Sequence, residues 1–190
     1  MVCGLVALIA GVLARSGAGD IEQARRQRAA ADVQGLAQAL ATFEATVGQW
    51  PTLDAGAATN RTRVLLSGSV LPSANPWVGG HSFWAWVRSG FGDLMQNHLL
   101  VNAPGGQTAH RYPTQGAARW RGPYLDACPL DPWGRPYVAN VLATYSTNRT
   151  NHRQLLVVSA GPDGRLQTAA TATATQRIAG DDIGCLVWER

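Results

Sequence analysis

The opening stretch constrains the fold of this chain more than any other. Residues 1–14 read MVCGLVALIAGVLA, with no charge before Arg15. A membrane-spanning helix needs about 20 apolar residues, so the run is short for that role. A cleaved signal peptide is the competing reading, with Ser16–Gly19 as its small-residue stretch. Helical character continues past that point, however. Residues 20–27 are strongly polar, and apolar residues then recur at Val33, Leu36, Leu40, Phe43 and Val47. Spacings of three and four place them on one face of a helix. Gly48 and Pro51 end it. As one helix, residues 1–47 extend roughly 70 Å at the standard rise. A small domain does not cover that length, so the first half needs lipid or other chains around it.

The 190 residues suit one domain, and 46% of them are hydrophobic, enough for a core. All 16 basic residues are arginine, and only Arg25, Arg26 and Arg28 are densely grouped. The net charge of +4 is otherwise spread out, with no basic stripe among aromatics, so no nucleic-acid partner is expected. The cysteines Cys3, Cys128 and Cys185 form no CxxC pair. Cys128 and Cys185 are candidates for a disulfide in an oxidising compartment, with two separate buried thiols as the equal alternative.

Beyond the helix, a short helix is expected around Thr62–Leu66 and a second within Phe91–Val101. Between them, residues 72–86 concentrate Trp77, Phe83, Trp84 and Trp86, with core filling as the default reading and a surface aromatic patch as the minor one. Three β-type runs follow at 137–143, 154–159 and 183–188, the first two arranged as an antiparallel hairpin. Thr168–Thr175 is a Thr/Ala loop. Trp133 and Tyr137 are expected to pack under a turn against the long helix. His81, His98, His110 and His152 have no metal-ligand spacing and no adjacent carboxylate, and are expected to be solvated or structural. Ser159 sits in VSAGPDG, which is not a nucleophile elbow. No constellation supports an enzyme.

These segments resemble a known family. The helix RRQRAAADVQGLAQALATFEATVGQWP (25–51), then WRGPYL (120–125), PLDPWGRPY (129–137), VVSAGPDG (157–164) and GDDIG (180–184) follow the order found in the major pseudopilins of type II secretion. The resemblance covers about two-thirds of the chain. It implies an α+β, pilin-like fold: a long N-terminal helix packed on a small antiparallel sheet, here with an enlarged loop and helix insertion. The implied organisation is a filament-core helix part at 1–19, an amphipathic part at 20–50 and a globular domain at 51–190. Within that domain, 54–119 is the variable insertion and 120–190 holds the sheet and an acidic loop. The family's basic leader and its glutamate near the mature N-terminus have no counterpart, and alignment sets Met1 several residues inside the mature sequence. The expectation is that leader and first residues lie upstream.

The resemblance further implies Ca²⁺ in the acidic loop. The matching residues are Asp163, Asp181, Asp182 and the main-chain carbonyl of Ala160. Asp181 stands 18 positions after Asp163, a longer separation than the family pattern. Hard oxygen donors of this kind suit Ca²⁺, and a cation relieves repulsion among clustered carboxylates. Ordinary turn and loop-end roles for these aspartates are the competing reading. The implied function is a structural subunit of a pseudopilus that drives protein export. Its helix, with Leu5, Leu8, Leu13, Arg25, Arg26 and Arg28, would form a helical homopolymer. Minor pseudopilins and an inner-membrane assembly platform are the implied partners. The implied location is the bacterial inner membrane, with a single pass and a periplasmic domain. The alternatives are a type IV pilin of an adhesive or DNA-uptake pilus, and a membrane-anchored binding module that does not polymerise.

Overall fold

The helical periodicity of the first third of the chain is realised as a single 45-residue helix, α1 (Cys3–Val47). The computed structural model describes residues 3–54, 62–79, 82–144, 154–169 and 178–189, with side chains from Gly19 onward except that of Ser82. Val33, Leu36, Leu40, Phe43 and Val47 are all buried, on the stripe that their spacing predicts. Gly48 closes the helix with a φ of +74°, and its amide donates to the Glu44 carbonyl at 2.7 Å, a glycine stop.

The stripe packs on a five-stranded sheet. Its strands are β1 (Val64–Leu66), β2 (Gly92–Leu94), β3 (Val138–Ala139), β4 (Gln154–Ser159) and β5 (Ile183–Glu189), in the spatial order β2-β1-β3-β4-β5. β4 and β5 form the long antiparallel pair, with a register irregularity at Leu155/Leu156. Side chains alternate across the sheet as strand geometry requires. Leu65, Leu155 and Val157 join the helix-side core, while Val64, Leu66, Leu156 and Val158 point to the opposite face.

The opposite face is covered by residues from the insertion. Trp77 is buried there together with Phe83 of the one-turn helix α2 (Ser82–Trp86), whose Trp84 and Trp86 are half-buried. The tryptophans of that stretch therefore fill a second core, their default reading. The arrangement is α+β with a long N-terminal helix on a sheet, as a pilin-like fold has. The sheet is mixed, and not purely antiparallel, because β1 and β2 run parallel. Residues 62–66 do not form the expected helix. Val64–Leu66 is a strand buried on both faces, so it reads as a short apolar run without alternation. The segment expected as a helix at 91–101 divides into β2 and the one-turn helix α3 (Met95–Leu99).

Below Ala29 the domain recedes from α1. Arg25, Arg26 and Arg28 are exposed, and Ile21 is 59% exposed despite its apolar side chain. Trp133 reaches this region and its Nε1 donates to Glu22 Oε2 at 3.3 Å, while the Tyr137 hydroxyl donates to Asp32 Oδ2 at 2.8 Å. Both aromatics hold the turn after residue 130 against α1, as expected. Among the described residues no helix is long and apolar enough to cross a membrane. The side chains of Leu5, Leu8 and Leu13 lie outside the described residues, as do His81, His152 and most of the Thr/Ala loop.

A buried polar cluster secures the insertion. Asp93 Oδ2 lies 2.9 Å from His98 Nε2, and His98 Nδ1 lies 2.7 Å from the Tyr112 hydroxyl. Asp93 also accepts from the Leu94 amide, the Asn97 side chain and the Gly105 amide. Burial pushes the Asp93 carboxyl up, but the His98 hydrogen bond and charge and the two amides outweigh it, leaving the pKa below the usual value. His98 thus has a carboxylate partner five residues earlier, which the expectation of no adjacent acid missed. Its role is structural, since the imidazole is fully buried.

Cys128 and Cys185 are both free thiols, so the structure does not contain the candidate disulfide. The residues flanking Cys128, Ala127 and Pro129, line a hollow against Ala31 and Gly35. Cys185 lines another against Gln34, Gln38 and Ala41, on the other flank of α1. Burial pushes the Cys128 thiol up to about 11, which keeps it protonated and unreactive.

Candidate metal centre

The acidic loop is built where β4 leaves the sheet and where the chain returns to β5. Ala160 is fully buried at the end of β4. Gly161 follows with a φ of +62°, and a Cβ there would lie 2.3 Å from the Asp181 carbonyl oxygen. Glycine is therefore required by both backbone conformation and close approach. The Asp163 amide then donates to Asp181 Oδ2 at 3.1 Å, joining the two arms of the loop.

The structure brings Asp163, Asp181 and Asp182 into one loop but gives them different surroundings. Asp163 is exposed and both its oxygens are engaged: Oδ1 accepts from the Arg165 amide at 2.7 Å and Oδ2 from Gln167 Nε2 at 3.0 Å. Asp182 is only 8% exposed, and its Oδ2 accepts from the Thr168 amide at 2.6 Å. Among the described residues, its other oxygen, Oδ1, is buried without a hydrogen-bond partner, and so is Oδ1 of the neighbouring Asp181. Burial raises the Asp182 pKa and the Asp181 charge adds to this, against the hydrogen bonds from Thr168 and Gln167.

Two unpartnered carboxylate oxygens on adjacent residues are costly in a protein interior unless a cation or donor meets them. Hard anionic oxygens are the donors that Ca²⁺ takes, so this pair fits that ion. Among the described residues no three His, Cys, Asp or Glu side chains gather as a ready ligand set. Asp163 is the member that stands apart, because it is exposed and each of its oxygens already accepts one hydrogen bond.

Two residues whose structural role the sequence does not show, Asp131 and Ser159, hold the loop in place. Asp131 is buried, and its Oδ1 accepts from the amides of Trp133 at 3.0 Å and Arg135 at 2.8 Å. Its Oδ2 accepts from the Ser159 hydroxyl at 2.7 Å, and Ser159 Oγ in turn accepts from the Gly161 amide at 3.2 Å. The Arg135 guanidinium donates to the Gly161 carbonyl at 3.1 Å. The turn at 131–135 is thus tied to the first residues of the acidic loop. The Asp-Pro-x-Gly pattern marks a turn in the sequence; the partner 28 residues away does not show there.

The family model described as type II secretion system (T2SS), protein G, matches residues 101–177. This stretch of the chain is similar to the protein G family. The match bears out the resemblance drawn from WRGPYL, PLDPWGRPY and VVSAGPDG, all of which fall inside it. The protein G segment includes Asp131, Ser159, Ala160 and Asp163, and it ends before Asp181. It covers less than half of the chain, with α1, β1, β2 and β5 outside it. No curated protein and no solved structure matches this chain.

Proposed function

We propose that the whole chain is a major pseudopilin, a structural subunit that assembles through α1 into a pseudopilus and serves protein export. The observation that carries this is the uncovered stretch of α1. Among the described side chains the domain fully buries the helix from Ala29 onward; before that point Trp133 touches Glu22, while Ile21 and three arginines face outward. A helix that runs past the domain covering it leaves a length of surface on which other chains can pack. Sister copies supply that cover in a heterologous, non-closing packing, which generates a filament. The apolar run at 1–14 enters the bilayer before assembly and the filament core after it. The protein G match favours secretion over an adhesive pilus.

Ca²⁺ has a mechanical part in this reading. Asp181 and Asp182 would hold it, with Ala160 and Asp163 as further oxygen donors. The bound ion supplies positive charge that cancels carboxylate repulsion, and this chain's own residues fix the loop to the sheet through Ser159 and Asp131. Type II export in the native host tests the function. Deleting the gene should abolish export, wild-type chain should restore it, and Ile21→Asp should not. Undiminished export after deletion would overturn the reading.

A further inference from the structure

Gln167 spans the acidic loop with both ends of its carboxamide. Its Nε2 donates to Asp163 Oδ2 at 3.0 Å, and its Oε1 accepts from the Asp181 amide at 3.0 Å. The side chain reaches that position across Gly180, where a Cβ would stand 2.0 Å from Oε1. Gly180 has a φ of +63°, so both its conformation and its missing side chain make room for the amide. A side chain reaching over a glycine to bond both arms of a loop is a built contact.

The consequence is a division among the three aspartates. Asp163 has donors on both oxygens, one from Arg165 and one from Gln167, whereas Asp181 and Asp182 each keep a buried oxygen with no partner among the described residues. We infer that the Gln167 carboxamide is a built-in clamp that closes the acidic loop without metal and competes with Ca²⁺ for Asp163. This rests on the calcium reading above. A carboxylate is an acceptor only, and the amide N–H on Oδ2 takes one of its lone-pair sites and holds the side chain toward Gln167 and away from a cation. Were Asp163 to bind Ca²⁺, the Gln167 amide would have to give up its hydrogen bond, which would subtract from binding. The clamp thereby lowers calcium affinity and keeps the loop ordered when the ion is scarce.

The test uses the full chain in detergent, with CaCl₂ or EGTA, and compares wild type with Gln167→Ala and Gln167→Met. The second variant keeps the side-chain length and removes both hydrogen bonds. Melting temperature and calorimetric titration with Ca²⁺ are the readouts. Both variants should melt lower than wild type in EGTA and close to wild type in Ca²⁺, so the calcium-induced shift widens. Their Kd for Ca²⁺ should tighten by roughly threefold to tenfold, the equivalent of one hydrogen bond. An equal drop in both conditions, weakened binding, or an unchanged shift would overturn the clamp while leaving the calcium site standing. A wild-type chain with no response to Ca²⁺ in either readout would remove the calcium reading, and the clamp with it.

Discussion

Replacing Asp131 by alanine tests how the turn at 131–135 and the acidic loop are joined. The carboxylate receives the Trp133 amide, the Arg135 amide and the Ser159 hydroxyl, and it is itself buried. Hydrogen bonds to a charged group contribute about 1.5–3 kcal/mol each, but they do not add fully when partners relax. Trp133 and Arg135 are half-exposed, so their amides regain water after the change. Ser159 is fully buried and cannot, so its hydroxyl bears most of the desolvation penalty. Asp131→Ala should therefore cost about 3–4 kcal/mol, allowing about 1–3 for the orphaned hydroxyl and the rest for the turn. Asp131→Asn keeps Oδ1 for the two amides and offers an N–H to Ser159 Oγ, and should cost about 1 kcal/mol. Ser159→Ala removes the orphan, so the double variant should be less destabilised than the two single losses combined. Urea unfolding of the full chain, followed by tryptophan fluorescence, measures all four. A loss below about 1 kcal/mol for Asp131→Ala would refute the account.

Phe43 is fully buried and meets Tyr112 and Tyr124 edge-on at 4.8 and 5.4 Å, so Phe43→Ala should cost about 3–5 kcal/mol in the same assay. The Asp93 pKa is depressed in the folded chain, so its stabilisation is complete above the unfolded value of about 4 and is lost as pH falls through the folded value. Below about pH 4, wild type should lose stability more steeply than Asp93→Asn; parallel pH profiles would contradict this. Melting temperature should rise with Ca²⁺ and fall with chelator, and Asp182→Ala should erase the difference; an unchanged response in that variant would discard the site.

Long periodic elements are legible in the sequence, and short contextual ones are not. Val33, Leu36, Leu40, Phe43 and Val47 announce α1 because repeated spacings of three and four align on one face of a helix and on neither face of a strand. β4 and β5 fall where their β-type runs place them. Val64–Leu66 does not read as a strand because three buried residues carry no period, and only pairing with β2 and β3 makes them one. His98 and Asp93 look unrelated in the sequence because a turn of helix after an extended residue brings them together, which no linear pattern announces. The acidic residues of the loop are visible through their order along the chain. Their unequal surroundings are not, since they depend on where Gln167 lands across Gly180.

In the proposed filament the uncovered part of α1 is the assembly surface. Electron cryomicroscopy of material assembled in cells tests it most directly. The account predicts filaments with α1 of neighbouring copies packed along the axis, Ile21 buried between them and the sheet domain outside. Filaments held together by the sheet domains alone, with Ile21 still facing solvent, would contradict it.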